Sequence, residues 1–237
     1  DLLRKYPGSG LGEAGLDKSR GVLQRSPMAE QAALFSQQLR LARELGRPVS
    51  VHCVKAWGKV QECLAREGPF PRGVLLHSFA GPAEVVPPMC ALNAFFSVSL
   101  SILRIRDEAK ASQVLRAIPP ERLLLETDSP DALCRPAWPD NEEEEEEGEQ
   151  QWASIGDEIT STGDNGGEGA GEGGCGSCCG GGEGKGQKGR NGRKELNHPG
   201  NVAAVLRAVS RLTGQSEDAL AALTTANARK LFGCSGA

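Results

Sequence analysis

The chain has 237 residues, a formal net charge of −4 and eight cysteines. That length suits one large domain or a decorated barrel. With no long apolar run, and with cysteines 53, 63, 90, 134, 175, 178, 179 and 234 showing no pairing rhythm, the sequence excludes a helical membrane span and a disulfide scaffold. A reduced intracellular protein, cytoplasmic or nuclear and without a membrane partner, is the expectation. An organelle stays open, because Asp1 is not an initiator methionine.

In chain order, Ser26-Pro27 opens a helix, since proline suits the first helical position. Met28, Ala32, Phe35, Leu39 and Ala42 then recur at helical spacing, and Gly46 supplies the stop. The short run Pro48–His52 predicts a strand, followed by a helix near Ala56–Glu67. Gly73–His77 predicts a second strand, and a proline-broken helical stretch follows around Ala83–Leu92. Ala94–Ser99 predicts another strand, Asp107–Ile118 a helix, and Arg122–Asp128 a strand again. The tail is helical: Val202, Val205, Leu206, Val209 and Leu212 share a face that ends at Gly214. Ser216 is expected to cap a short helix through Leu223, and Thr225 a last one through Phe232.

Continuous apolar strands alternating with helices predict an α/β fold with parallel pairing. Glu13, His52, His77 and Asp128 each fall at or just after the C-terminal end of a strand-like run. In a parallel β/α barrel those ends share the face where catalytic groups gather. A barrel is therefore favoured over an open doubly wound sheet. Such a barrel needs roughly 250 residues, and the residues outside the insertion described next accommodate about six βα units. The expected architecture is thus an N-terminally incomplete TIM-type barrel.

Asp140–Lys194 interrupts this pattern with 17 glycines, 14 acidic and 5 basic residues. Its net charge of −9 leaves +5 on the rest of the chain, a mildly basic body that suits an anionic substrate. So little apolar surface cannot offset the entropy of ordering, so 140–194 is expected to be a disordered low-complexity insertion within a domain formed by 1–139 and 195–237. Cys175, Cys178 and Cys179 lack a second cluster and are not read as a zinc clip.

Taken singly, each polar residue has an ordinary explanation. A histidine after an apolar run is commonly a core or capping group; Asp128 before Ser129-Pro130 suits a turn; Glu13 between glycines suits a solvated loop. Cys53, Cys63 and Cys90 read as small buried hydrophobes. Ser78, Ser129 and Cys53 lack the setting of a nucleophile. Lys18, Arg20, Lys55, Lys59 and Arg104 follow strand ends, where they suit either phosphate contacts or plain surface charge. Together, though, two imidazoles and two carboxylates at equivalent places form a donor set for a divalent metal.

Six segments resemble blocks of the TatD-related DNase family in the family's order. They are Gly12–Asp17 (GEAGLD), Pro48–His52 (PVSVH), Gly73–Gly81 (GVLLHSFAG), Leu123–Pro130 (LLLETDSP), Asn197–Pro199 (NHP) and Thr224–Phe232 (TTANARKLF). The resemblance covers nearly all of the chain outside the insertion. It implies a metal-dependent deoxyribonuclease on a β/α barrel with two metals, of Mg, Mn or Zn type. Carried over by position, Glu13 resembles the carboxylate that bridges both metals. His52 and His77 resemble the two histidines of one metal, and Asp128 resembles the carboxylate that binds the other and assists the attacking water. Glu13 and Asp128 are thus the expected catalytic groups, and all four residues are the expected metal ligands. The family's His-x-His pair on the first strand has no counterpart here, and His198 stands where the family usually has an acid. One metal per chain and impaired activity follow as expectations.

The expected reaction is exonuclease-like hydrolysis of DNA by a metal-activated water. Two alternatives stay open: a weak or inactive pseudo-nuclease acting as an interaction protein, and a small-molecule metal-dependent hydrolase. The segments Gly12–Asp17 and Glu126–Pro130 favour the nuclease.

Overall fold

The computed structural model describes residues 2–105, 107–131 and 197–233, apart from the Arg104 side chain. The insertion expected at 140–194, with its three cysteines, lies outside the described residues. Among the described residues no helix is long and apolar enough to cross a membrane.

Five strands form one parallel sheet in the order β1 (Leu11–Asp17), β2 (Val49–Val54), β3 (Val74–Leu76), β4 (Ala94–Val98) and β5 (Leu123–Leu125). Each strand pairs with its neighbour in sequence. A doubly wound sheet reverses direction at a switch point; this one never does, which is the order of a β/α barrel. Residue counting suggested about six units, and five strands are present among the described residues.

The helices form where apolar residues recur at helical spacing. Met28–Glu44 buries Ala32, Phe35, Leu39 and Ala42, packs on β1 and on helix Trp57–Glu67, and ends before Gly46 at φ +60°. The proline-broken stretch is a 3₁₀ turn (Ala83–Val85) running into a helix (Val86–Ala91), with Pro87 and Pro88 in its first turn, where a missing N–H is harmless. Asp107 caps helix Glu108–Ala117 by accepting from the Lys110 amide. The tail is one helix fewer than expected. Ser216 caps a single helix, Glu217–Phe232, and Thr225 lies inside it. The adjacent Thr224 hydroxyl bonds back to the Leu220 carbonyl, so threonine is accommodated mid-helix without starting a new one.

The two faces of the sheet differ. Leu11, Ala14, Leu16, Val49 and Val51 are buried on the helix-covered side. On the concave side Ser50 pairs with Leu75 and Leu75 with Phe95. Leu75, Phe95 and Leu124 enclose Leu231 of the last helix, and Ala228 packs against them. Because strand side chains alternate, the residue two places further on shares the face and lies nearer the C-terminal end. Two places beyond Ser50, Leu75, Phe95 and Leu124 stand His52, His77, Ser97 and Glu126. On β3 to β5, therefore, an apolar residue underlies each polar one.

Candidate metal centre

Glu13 reaches this polar layer through an irregularity in β1. Leu11 pairs with Val49 and Ala14 with Val51, so three steps along β1 match two along β2. The extra residue at Gly12–Glu13 is a bulge. In an unbroken strand Glu13 would share a face with Leu11, against the helices. The bulge turns it to the concave side instead, where it is exposed. The expectation that Glu13 ends its strand is corrected here: it is the third residue of a strand that continues to Asp17. His52 likewise lies within β2, while His77 follows β3 directly. Gly15 stands opposite His52, and a Cβ there would collide with the His52 carbonyl. Close approach of the two backbones at the site requires the glycine.

Three of the four expected ligands converge. His52 Nδ1 lies 3.0 Å from Glu13 Oε1 and 3.3 Å from His77 Nε2, and His77 Nε2 contacts the same Glu13 oxygen. One ligand atom from each residue lies within 4.8 Å of the others. Hydrogen bonds from His52, then His77, hold the Glu13 carboxyl well below the usual carboxylate range. Glu13 in turn raises the pKa of His52. Burial opposes charge on His77, but Glu126 and Glu13 outweigh it and push its pKa up to about 10. A carboxylate and two imidazoles aimed at one point fit a divalent ion, which would take the place of the protons the histidines otherwise hold.

Asp128 does not join this group of converging ligand atoms. It stands three residues beyond β5 with φ +60°, in the left-handed region that a non-glycine residue rarely adopts. Burial raises its pKa, His77 opposes that rise, and Glu126 and Glu13 add to it; the aspartate is within electrostatic reach of the cluster. Its turn is held by Asn197. That buried side chain donates to the Thr127 carbonyl (2.6 Å) and the Asp131 carbonyl (2.7 Å), and Ser129 Oγ donates to the Asn197 carbonyl. His198, by contrast, is a capping residue whose Nδ1 accepts from the Gly200 amide.

The chain matches the TatD related DNase family over residues 1–233. It belongs to that family. Among curated TatD relatives, the 3'-5' ssDNA/RNA exonuclease TatD of Klebsiella pneumoniae is 38% identical over 125 residues, 53% of this chain and 46% of the relative. The human 3'-5' RNA nuclease TATDN2 is 33% identical over 134 residues, 56% of this chain and 17% of that protein. The chain spans about half the length of the first curated relatives it matches. In structure it resembles the YJJV TatD homologue of Escherichia coli, with a TM-score of 0.66 and 22% identity, covering 99% of this chain and 68% of that one.

Several residues around this TatD site were not singled out from the sequence. Glu126 places Oε1 3.5 Å from His77 Nδ1, long for a hydrogen bond, and that buried oxygen has no hydrogen-bond partner. Its other oxygen accepts from Ser97 Oγ at 2.7 Å. Asp17 Oδ2 lies 3.7 Å from His52 Nε2. Both acids lie inside TatD-like blocks, which was the available signal; their partners depend on strand register. Of the cations expected near strand ends, Lys59 is paired with Glu62 at 2.8 Å. Lys18, Lys55 and Arg20 are exposed, and the Lys18 amide donates to the Val54 carbonyl, joining the ends of β1 and β2. The Arg104 side chain lies outside the described residues. Cys53 is half-buried, less than expected, and burial pushes its thiol up to about 12, which argues against a nucleophile.

Proposed function

We propose that this chain is a metal-dependent nuclease that hydrolyses phosphodiester bonds in single-stranded DNA or RNA, working from an end. Convergence of Glu13, His52 and His77 from three neighbouring strands carries the reading. Family membership and the exonuclease names of its relatives support it. RNA joins the DNA expected from the sequence because those names include it.

In this reading Glu13, His52 and His77 hold one divalent ion per chain. A bound ion supplies a Lewis acid for a phosphoryl oxygen and lowers the pKa of a water. Asp128 takes the proton of the attacking water; burial raises its pKa toward the range where a general base is effective. His52 and His77 each keep one ring nitrogen on the shared point, and Glu13 fixes both rings. Exposed Lys18 and Lys55 lie at the same end of β1 and β2, positioned to attract the phosphate backbone. With a single ion, turnover is expected to be slow, because the two-metal arrangement stabilises both the attacking and the leaving oxygen.

Calorimetric titration with Mn²⁺ tests the binding half: one site per chain, lost in His52→Ala and His77→Ala. The chemical half is tested by incubating 3'-labelled and 5'-labelled single-stranded DNA and RNA with Mn²⁺, beside a phosphotriester. Metal-dependent shortening from one end supports the nuclease. Turnover of the phosphotriester alone would sink it in favour of a small-molecule hydrolase, and metal binding with no turnover would favour a pseudo-nuclease. Two equally occupied sites would overturn the one-ion reading.

A further inference from the structure

We propose that Asp17 and Glu126 are the positioning carboxylates of the metal centre, each fixing one histidine ring from behind. The inference rests on the metal-ion reading above and adds residues that touch no ligand position. Both histidines have two ring nitrogens with different neighbours. His52 turns Nδ1 to Glu13 and Nε2 to Asp17 Oδ2, 3.7 Å away. His77 turns Nε2 to Glu13 and Nδ1 to Glu126 Oε1, 3.5 Å away. The rings thus use opposite nitrogens toward the centre, and each remaining nitrogen faces an acid.

The acids are themselves held. Asp17 Oδ1 accepts from the Ser19 amide at 2.7 Å. The Asp17 backbone is gripped on both sides by Gln31, which accepts from its amide and donates to its carbonyl. Glu126 Oε2 accepts from Ser97, a residue 2% exposed. In both cases one oxygen is anchored and the other is left for a histidine. Glu126 Oε1 is buried with no hydrogen-bond partner, a costly state for a carboxylate oxygen. A proton on His77 Nδ1 relieves it, and a ring protonated there leaves Nε2 free for the ion. A carboxylate behind a ligating imidazole fixes the tautomer and raises the basicity of the ligating nitrogen. Asp17 and Glu126 do this at opposite sides of the centre.

The test is Mn²⁺ calorimetry on the full chain and on its Asp17→Asn, Glu126→Gln and Ser97→Ala variants, with the metal-free melting temperature of each. Each acid-to-amide change keeps the side-chain shape and is expected to weaken Mn²⁺ binding about 10- to 100-fold, with melting little altered. Ser97→Ala, which touches no histidine, is expected to weaken binding less, with Ser97→Thr restoring it. Side-chain ¹⁵N NMR of the Zn²⁺-loaded wild type is expected to place protons on His77 Nδ1 and His52 Nε2, and it decides the matter if a variant fails to fold. Wild-type Mn²⁺ affinity in both amide variants, or a proton on His77 Nε2 with zinc bound, overturns this proposal alone. Failure of the wild type to bind Mn²⁺ at all overturns it together with the metal-ion reading.

Discussion

Gly15 lies directly opposite His52 in the β1–β2 pairing, and its missing Cβ is what lets the strands close at that point. The obstruction a side chain would meet is backbone, so it cannot rotate away. Gly15→Ala is therefore expected to lower stability by about 1–3 kcal/mol, the usual cost of overpacking. It should also weaken Mn²⁺ binding, because the strand that gives way carries His52. Urea denaturation and calorimetry check the two effects; an alanine variant with wild-type values for both would show that the strands are not in close contact there.

The proposed ligand residues predict how the metal-free protein responds to pH. His77 has its pKa raised from 6.5 to about 10 by Glu126 and Glu13. A raised pKa means that folding favours the protonated form, so this stabilisation is complete below pH 6.5 and is lost as pH climbs through about 10. Glu13 is shifted downward from 4.5, so its contribution is present above pH 4.5 and is lost as pH falls. With metal removed by EDTA, these groups place the stability maximum between about pH 4.5 and 6.5. Excess Mn²⁺ should oppose the alkaline loss, because the ion replaces the protons and binds better when they leave. Melting curves with and without EDTA test this. A metal-free melting temperature that rises from pH 6.5 to pH 9 would contradict it.

Four of the five strands were legible because each is a short apolar run, and the parallel order followed from the helices between them. β1, with Glu13, Asp17 and two glycines, is not such a run and was inferred only as a strand-like run ending at Glu13. His52 and His77 were legible for the same reason: each sits at the upper end of such a run. Glu13 was found but misplaced, because the bulge at Gly12–Glu13 exists only in the pairing of Leu11 with Val49 and Ala14 with Val51. Glu126 and Asp17 were overlooked for a related reason. Nothing along the chain says that one acid will stand behind a histidine 49 residues earlier, since that depends on the curvature and register of β3 to β5. The boundary placed at Thr225 failed because a capping preference is local, whereas Leu220, Thr224, Asn227 and Leu231 form one buried face along a continuous helix.

Asn197 offers a way to disturb Asp128 without touching it. Its amide donates to the carbonyls of Thr127 and Asp131 on either side of the aspartate. Asn197→Ala leaves both carbonyls without that donor, at a cost of about 1–3 kcal/mol for each that stays buried. If Asp128 takes the proton of the attacking water, the variant should lose turnover while Mn²⁺ affinity at Glu13, His52 and His77 stays within a few-fold of wild type. A large drop in Mn²⁺ affinity would instead make Asp128 part of the same ion's ligand set.

Leu231 provides the opposite dissociation, between the floor of the concave face and the ligands above it. It is 1% exposed and packs among Leu75, Phe95 and Leu124, and its Cδ1 occupies the space a Gly73 Cβ would need. Truncation to alanine removes apolar contacts with side chains of β3, β4 and β5 and leaves a cavity in their place. The expected loss is about 2–5 kcal/mol, read as a lower denaturation midpoint. Glu13 and His52 are fixed by the pairing of β1 with β2, in which Leu231 takes no part, so Mn²⁺ affinity of the folded fraction should change little. His77→Ala should do the reverse, abolishing Mn²⁺ binding while costing less stability than Leu231→Ala at alkaline pH, where the His77 ion pair no longer contributes. If Leu231→Ala abolished Mn²⁺ binding under conditions where it stays folded, the ligand layer would depend on the packing beneath it, and the separation of floor from site would be wrong.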